Sequence, residues 1–227
     1  MDNSILIQLK GKLIVSCQAL IHEPLHGSEI MARMALAATL GGASGIRANS
    51  PEDIIAIKKI IRLPVIGIHK VNYPDSPVMI TPTMREIDDL AAAKPEIIAL
   101  DATDRLRPGG VTLDELYAGI RQRYPDQLLM ADCSTLAEGI HAAELGFDCV
   151  ATTLCGYTEY TQGAVLPCLS LVHDLAARLS IPVIAEGGIW SPDELRAAME
   201  QGAYAGVVGT AITRPLEITR RFADVLE

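Results

Sequence analysis

The sequence predicts a single (β/α)8 barrel over residues 1–227, with a phosphate-binding site after strands seven and eight. Three observations predict it. Short apolar runs alternate with amphipathic segments along the whole chain, the alternation repeats eight times, and each repeat takes about 28 residues, near the roughly 30 of a compact βα unit. Continuous apolar strands separated by helices belong to parallel sheets covered on both faces. Eight such units without a spare element close the sheet into a barrel. An open doubly wound sheet would carry fewer strands and a glycine-rich turn after the first, whereas the first run here ends Ser16-Cys17-Gln18. No linker or shift in composition marks a second domain.

The strand-like runs are residues 13–18, 44–48, 65–70, 97–103, 128–134, 149–157, 182–188 and 206–213. Between them, Gly41 follows the first helix-like run and suits its C-terminal cap. The next helix opens on Ser50-Pro51-Glu52-Asp53, an N-cap followed by proline in the first turn and two acids that favour the positive end of the helix dipole. Thr112-Leu113-Asp114-Glu115 starts another helix without the proline, Gly146 closes the one before strand six, and Ser191-Pro192-Asp193-Glu194 opens the last crossover, which ends at Gly202.

Composition narrows the function classes. Apolar residues are 49% and charged residues 21%, enough for a buried core and too apolar for a disordered chain. A net charge of −9 disfavours binding to nucleic acid, which needs Lys and Arg on phosphates. The longest uncharged stretches, such as residues 34–46, fall short of the roughly 18 residues of a membrane span. The N-terminus has no basic segment ahead of an apolar one, so no signal peptide is expected. Five cysteines without a C-x-x-C pair suit reduced thiols in a cytoplasm better than a disulfide framework or a zinc site. The apolar face of residues 31–40 could pack on the barrel or on a second copy, so composition leaves a homo-oligomer open.

The working face of such a barrel is the C-terminal end of its strands. The residues there are Gln18, Arg47, His69 with Lys70, Asp101, Asp132, Thr152 with Thr153, Glu186, and Gly209 with Thr210. Glu186-Gly187-Gly188 after strand seven and Gly209-Thr210-Ala211 before Arg214 form the expected phosphate cradle, because glycines let backbone N–H groups approach an anion and Arg214 adds a charged fork. Tight turns alone would also use these glycines. Strand side chains alternate, so only one of His69 and Lys70 looks into the mouth. Lys70 alone reads as a rim lysine with its charge in water, but a lysine set among Ile and Val would have a lowered pKa and could act as a base. Strands three and seven lie opposite in a ring of eight, which sets Lys70 across from Glu186. A base and a carboxylate on two sides of one substrate suit proton removal from one face and return to the other.

Asp101 and Asp132 are expected to accept hydrogen bonds from sugar hydroxyls or to orient Lys70; a metal would want more histidine, and none is expected. His22, His26, His141 and His173 fall in loops or helices. Cys17 and Cys133 are expected to pack, and Tyr157 to close over a ligand or cover the rim.

These residues also carry a family resemblance. Residues 15–20 (VSCQAL) followed by Glu23-Pro24, residues 45–53 (GIRANSPED), 63–70 (LPVIGIHK), 98–103 (IALDAT), 129–132 (LMAD), 184–187 (IAEG) and 208–215 (VGTAITRP) resemble the N-acetylmannosamine-6-phosphate 2-epimerase family over nearly the whole chain. The resemblance implies cofactor-free interconversion of N-acetylmannosamine 6-phosphate and N-acetylglucosamine 6-phosphate in sialic acid breakdown. It implies Lys70 and Glu186 as catalytic residues, Gln18, Arg47 and Asp132 as substrate ligands, and Arg214 near the phosphate. A hydrogen on C2 beside an aldehyde is acidic, so no hydride acceptor or metal is needed if hydrogen bonds stabilise the enolate. The rival readings are a Schiff-base lyase using Lys70, a metal-dependent pentose-phosphate epimerase, and a non-catalytic phosphosugar sensor.

Overall fold

In a computed structural model, which describes residues 4–226, eight parallel strands close into a barrel in sequence order, each hydrogen-bonded to the next and the eighth to the first. The chain runs α1 (Ser4–Leu9), β1 (Leu13–Cys17), α2 (Ser28–Leu40), β2 (Gly45–Asn49), α3 (Pro51–Ile60), β3 (Val65–Ile68), α4 (Met84–Ala93), β4 (Ile97–Asp101) and α5 (Leu113–Arg123). It continues β5 (Leu128–Asp132), α6 (Leu136–Leu145), β6 (Cys149–Ala151), α7 (Leu169–Arg178), β7 (Val183–Glu186), α8 (Pro192–Glu200), β8 (Ala205–Val208), α9 (Thr210–Thr213) and α10 (Pro215–Ala223).

All eight expected strands are present, and several end earlier than the apolar pattern suggests. The run at 149–157 is a strand only to Ala151 and then turns, and the run at 206–213 leaves the sheet at Val208 to form α9. Apolar residues at the mouth stay buried without being hydrogen-bonded into a ladder, which is why hydropathy overshoots. Two elements contradict the expectation of no spare piece. Besides α9, the short α1 packs Leu6 and Leu9 against Ile14, Ile97, Leu128 and Ala205, at the N-terminal ends of the strands. It stops the bottom of the barrel with apolar surface that would otherwise meet water.

Alternation along the strands divides two apolar layers. Inward residues such as Ile14, Ile66, Ile68, Ala99, Met130 and Ile184 fill the barrel, and outward ones such as Ile46, Ile98, Leu129 and Val150 meet the helices. On α2, Met31, Ala32 and Ala35 are buried against the sheet while Ile30, Leu36 and Leu40 face outward.

The start signals act as expected. The Ser50 hydroxyl accepts the Asp53 N–H, and Thr112 and Ser191 form reciprocal capping boxes with Glu115 and Glu194. Gly146 caps α6 in the left-handed region, whereas Gly41 is right-handed and the positive φ falls to Gly42. Among the described residues, no helix is long and apolar enough to cross a membrane.

Candidate active site

A cavity of about 460 Å³ opens at the C-terminal end of the strands. Of the residues singled out from sequence, Gln18, Lys70, Asp101, Thr153, Tyr157, Glu186, Gly187, Gly188, Gly209 and Arg214 line it. Arg47 and Asp132 are completely buried beside it, 1% and 0% exposed.

Lys70 follows β3. Its backbone N–H donates to Asn49 Oδ1 (2.8 Å), which fixes the chain at the residue where strand pairing ends. The alternation sends Lys70 to the cavity and His69 outward, with His69 Nδ1 3.7 Å from Asp89 Oδ2 on α4. Burial pulls the Lys70 ammonium down to about 8, helped by the positive charges of Arg47 and Arg214 and opposed by Glu186 and Asp132.

Glu186 ends β7, directly across the ring from β3. Its backbone N–H donates to Thr152 Oγ1 (3.1 Å), and Thr152 Oγ1 donates back to the Glu186 carbonyl (2.9 Å), so the backbone under the carboxylate is clamped. Burial raises the carboxyl to about 7; Arg47 resists, Asp132 adds to the rise and Lys70 opposes it. The two groups facing each other are thus pushed from opposite directions toward neutral pH.

Arg47 connects this pair to the interior. Its Nη1 donates to Asp132 Oδ1 (2.9 Å) and to Glu186 Oε2 (2.8 Å), and its Nη2 donates to Asp132 Oδ2 (2.6 Å). Thr153 Oγ1 donates to Asp132 Oδ1 (2.6 Å). Burial works against the Arg47 charge, and the two carboxylates more than offset it. Asp132 accepts three hydrogen bonds, two from Arg47 and one from Thr153, and none from Lys70 among the described residues. Asp101 does the same on β4: it takes Thr103 N–H (3.0 Å), Thr103 Oγ1 (2.6 Å) and Arg105 Nη2 (2.6 Å).

The glycine-bearing end makes a tight turn after β7. Gly187 and Gly188 have successive positive φ values of 107° and 70°, a backbone that residues with a side chain rarely adopt. A Cβ on Gly188 would meet Leu166 Cβ at 2.4 Å, so the turn also needs the missing side chain for space. On the adjacent strand, Gly209 leads into α9, whose Thr213 hydroxyl donates to the Ser16 carbonyl (2.8 Å). Arg214 is held by Glu23, which accepts from its Nη2 at 2.8 Å. Gln18 Nε2 donates to Ser16 Oγ (2.6 Å), and its buried Oε1 has no partner among the described residues.

Strand-end reasoning missed Arg105, Pro77, Met79, Ile80 and Trp190, which also line the cavity. They come from loops beyond the strand ends. The one readable signal is the paired arginine motif Arg105-Leu106-Arg107 just after Asp101-Ala102-Thr103. Burial pushes the Cys17 and Cys155 thiols up to about 12 and raises that of Cys133 well above the ordinary range, which keeps these three in the less reactive protonated form.

Fold and cavity together define a class, a (β/α)8 barrel whose mouth sets a lysine opposite a carboxylate beside a tight glycine turn. The family profile described as "Putative N-acetylmannosamine-6-phosphate epimerase" matches residues 31–227. A relative in Enterobacter sp. (strain 638), named "Putative N-acetylmannosamine-6-phosphate 2-epimerase", is 57% identical over 99% of this chain and 96% of its own. One in Caldanaerobacter subterraneus, with the same name, is 52% identical over 100% and 96%. The solved N-acetylmannosamine-6-phosphate 2-epimerase of Clostridium perfringens superposes with a TM-score of 0.94 at 52% identity, over 99% of this chain and 97% of that one. A thiamine phosphate pyrophosphorylase from Pyrococcus furiosus, with a TM-score of 0.64 at 17% identity, shares the fold alone. The chain belongs to the N-acetylmannosamine-6-phosphate epimerase family.

Proposed function

We propose that this protein interconverts N-acetylmannosamine 6-phosphate and N-acetylglucosamine 6-phosphate by moving the proton on C2, as a cytoplasmic enzyme of sialic acid and amino-sugar breakdown working as one unit over the whole chain. The observation that carries the reading is the placement of Lys70 and Glu186 on opposite sides of one cavity, with proton affinities of about 8 and about 7. Between those values the pair holds one proton in its main state, as lysine ammonium and glutamate carboxylate.

The open-chain sugar presents an aldehyde at C1. The Glu186 carboxylate takes the C2 proton, the C2–H electrons move into the C1–C2 bond, and the carbonyl electrons move onto O1. The Lys70 ammonium then returns a proton to the opposite face of C2, and the enolate electrons reform the aldehyde. The pair ends as carboxylic acid and neutral amine, which is the competent state for the reverse direction. No proton is gained or lost. Inversion at C2 alone follows because the two groups face each other and neither reaches both faces.

Gly187, Gly188, Gly209 and Arg214 hold the 6-phosphate, and Tyr157 covers it. Arg47 and Asp132, which the family resemblance makes substrate ligands, hold Glu186 in line together with Thr153. Gln18 accepts from a substrate hydroxyl through its unpartnered Oε1.

Incubating the protein with N-acetylmannosamine 6-phosphate in D₂O should yield N-acetylglucosamine 6-phosphate carrying deuterium at C2. Lys70→Ala and Glu186→Gln should each lower turnover about 10²–10⁴-fold. Folded protein that forms no product and exchanges no C2 proton would falsify the assignment.

A further inference from the structure

The substrate proposed above differs from a plain hexose phosphate by an acetamido group on C2, the carbon whose proton moves. With Lys70 and Glu186 on the two faces of C2, the acetamido nitrogen lies in the plane between them. The group points to a wall that flanks the Lys70–Glu186 axis, and the loops after β3 and β4 form one such wall. Ile80 pairs with Lys70 in an antiparallel bridge, and Val71 N–H donates to the Met79 carbonyl (3.1 Å), so Met79 and Ile80 are fixed next to the lysine. Asp101 N–H donates to the Ile80 carbonyl (3.0 Å), and two more ties, Ser76 Oγ to the Leu106 carbonyl (2.8 Å) and Gly109 N–H to Asp75 Oδ2 (2.9 Å), join the loop after β3 to the loop after β4.

On this joined wall stands Arg105. Its Nη2 and Nε are held by Asp101 Oδ2 (2.6 Å) and Thr103 Oγ1 (2.9 Å), and among the described residues its Nη1 makes no hydrogen bond. Arg105 lines the cavity with Pro77, Met79 and Ile80, and Met79 is a large apolar side chain left 37% exposed. An oriented hydrogen-bond donor next to bare apolar surface is what an acetamido group needs: the donor meets its carbonyl oxygen and the apolar surface meets its methyl. The phosphate cradle, by contrast, lies at β7 and β8, and β8 is opposite β4 in the ring.

We propose that Arg105, with Met79 and Pro77, forms the subsite that recognises the N-acyl group, so that this wall selects 2-acylamino sugar phosphates over plain hexose phosphates. Arg105 is a specificity-determining residue in this scheme, and the inference rests on the epimerase reading above.

The test compares two open-chain inhibitors that cannot epimerise because C1 is reduced: N-acetylglucosaminitol 6-phosphate and glucitol 6-phosphate. They share the phosphate and differ at C2. The wild-type protein should bind the acetamido compound about tenfold more tightly or better, the range of a charge-assisted hydrogen bond. Arg105→Ala should reduce that preference to about twofold or less, with the inhibition constant of glucitol 6-phosphate shifted by less than about threefold, and Met79→Ala should remove roughly threefold of it. An unchanged preference in Arg105→Ala, equal weakening of both inhibitors, or a loss of turnover with the preference intact overturns the subsite. If Arg105→Ala does not fold, Met79→Ala decides, and an unchanged preference there counts against the proposal. A wild-type protein that turns over N-acetylmannosamine 6-phosphate yet shows no preference sinks only this inference. One that binds neither inhibitor and turns nothing over sinks the epimerase reading as well.

Discussion

A lysine and a glutamate reach similar proton affinities here for the same reason with opposite signs. Burial disfavours charge on either, so it lowers Lys70 and raises Glu186. In the proposed mechanism the pair shares one proton: below about 7 both groups are protonated, and above about 8 neither is. The expected kcat/KM profile is a narrow bell that rises through about pH 7 and falls through about pH 8, read from initial rates across pH 5.5–9.5. The same burial weighs on stability. Lys70 loses its proton near pH 8 in the folded protein and near its ordinary 10.5 when unfolded, so below pH 8 the fold carries a buried charge. That penalty lifts as pH rises from 8 to 10.5. Replacing Lys70 by Met should therefore abolish turnover and raise stability at pH 7 by roughly 1–3 kcal/mol, with the gain shrinking above pH 8, as followed by urea unfolding. A variant less stable than wild type at pH 7 would contradict the burial argument.

At the scale of elements, one motif recurs with different weight. The Thr112/Glu115 box starting α5 and the Thr135/Glu138 box starting α6 have the same reciprocal pattern. Glu115 is exposed, whereas the buried Glu138 carboxylate also takes Ser134 N–H (2.7 Å), Ser134 Oγ (2.7 Å), Asp104 N–H (3.4 Å) and the Tyr160 hydroxyl. It ties the ends of three loops that surround the cavity. Thr112→Ala should cost about 1 kcal/mol, the ordinary price of a surface cap. Glu138→Ala should cost about 3 kcal/mol or more, since it strands several buried donors, and it should also raise KM by loosening the loop that carries Tyr157. Equal thermal shifts for the two variants would show that the extra bonds contribute nothing.

For the whole molecule, the barrel separates stability from chemistry along its axis. Leu9 of α1 packs into the N-terminal end, where a Cβ on Gly45 would lie 2.8 Å from Leu9 Cδ2, while the cavity opens at the other end. Leu9→Ala should destabilise by about 2–5 kcal/mol with kcat within about twofold of wild type, measured by urea unfolding and initial rates at 25 °C. A large loss of kcat without loss of stability would mean that the two ends are coupled.

The strand count, the helix starts at Ser50, Thr112 and Ser191, and the opposition of Lys70 to Glu186 were legible in the sequence, because they rest on local periodicity and on ring order, which follows once eight units close. Caps such as Ser50 and Ser191 are legible for the same reason, since donor and acceptor lie three residues apart. The partners of the strand-end aspartates were not: Asp132 holds an arginine 85 residues away, and nothing local to either residue distinguishes that from a free carboxylate. Arg105 and Met79 were missed because loops put them on the cavity wall, and α1 because its apolar face has meaning only against the open end of a closed barrel. Backbone periodicity belongs to neighbours along the chain. Which side chain satisfies a buried charge depends on which groups the closed barrel brings within about 3 Å of it, and only the tertiary structure decides that.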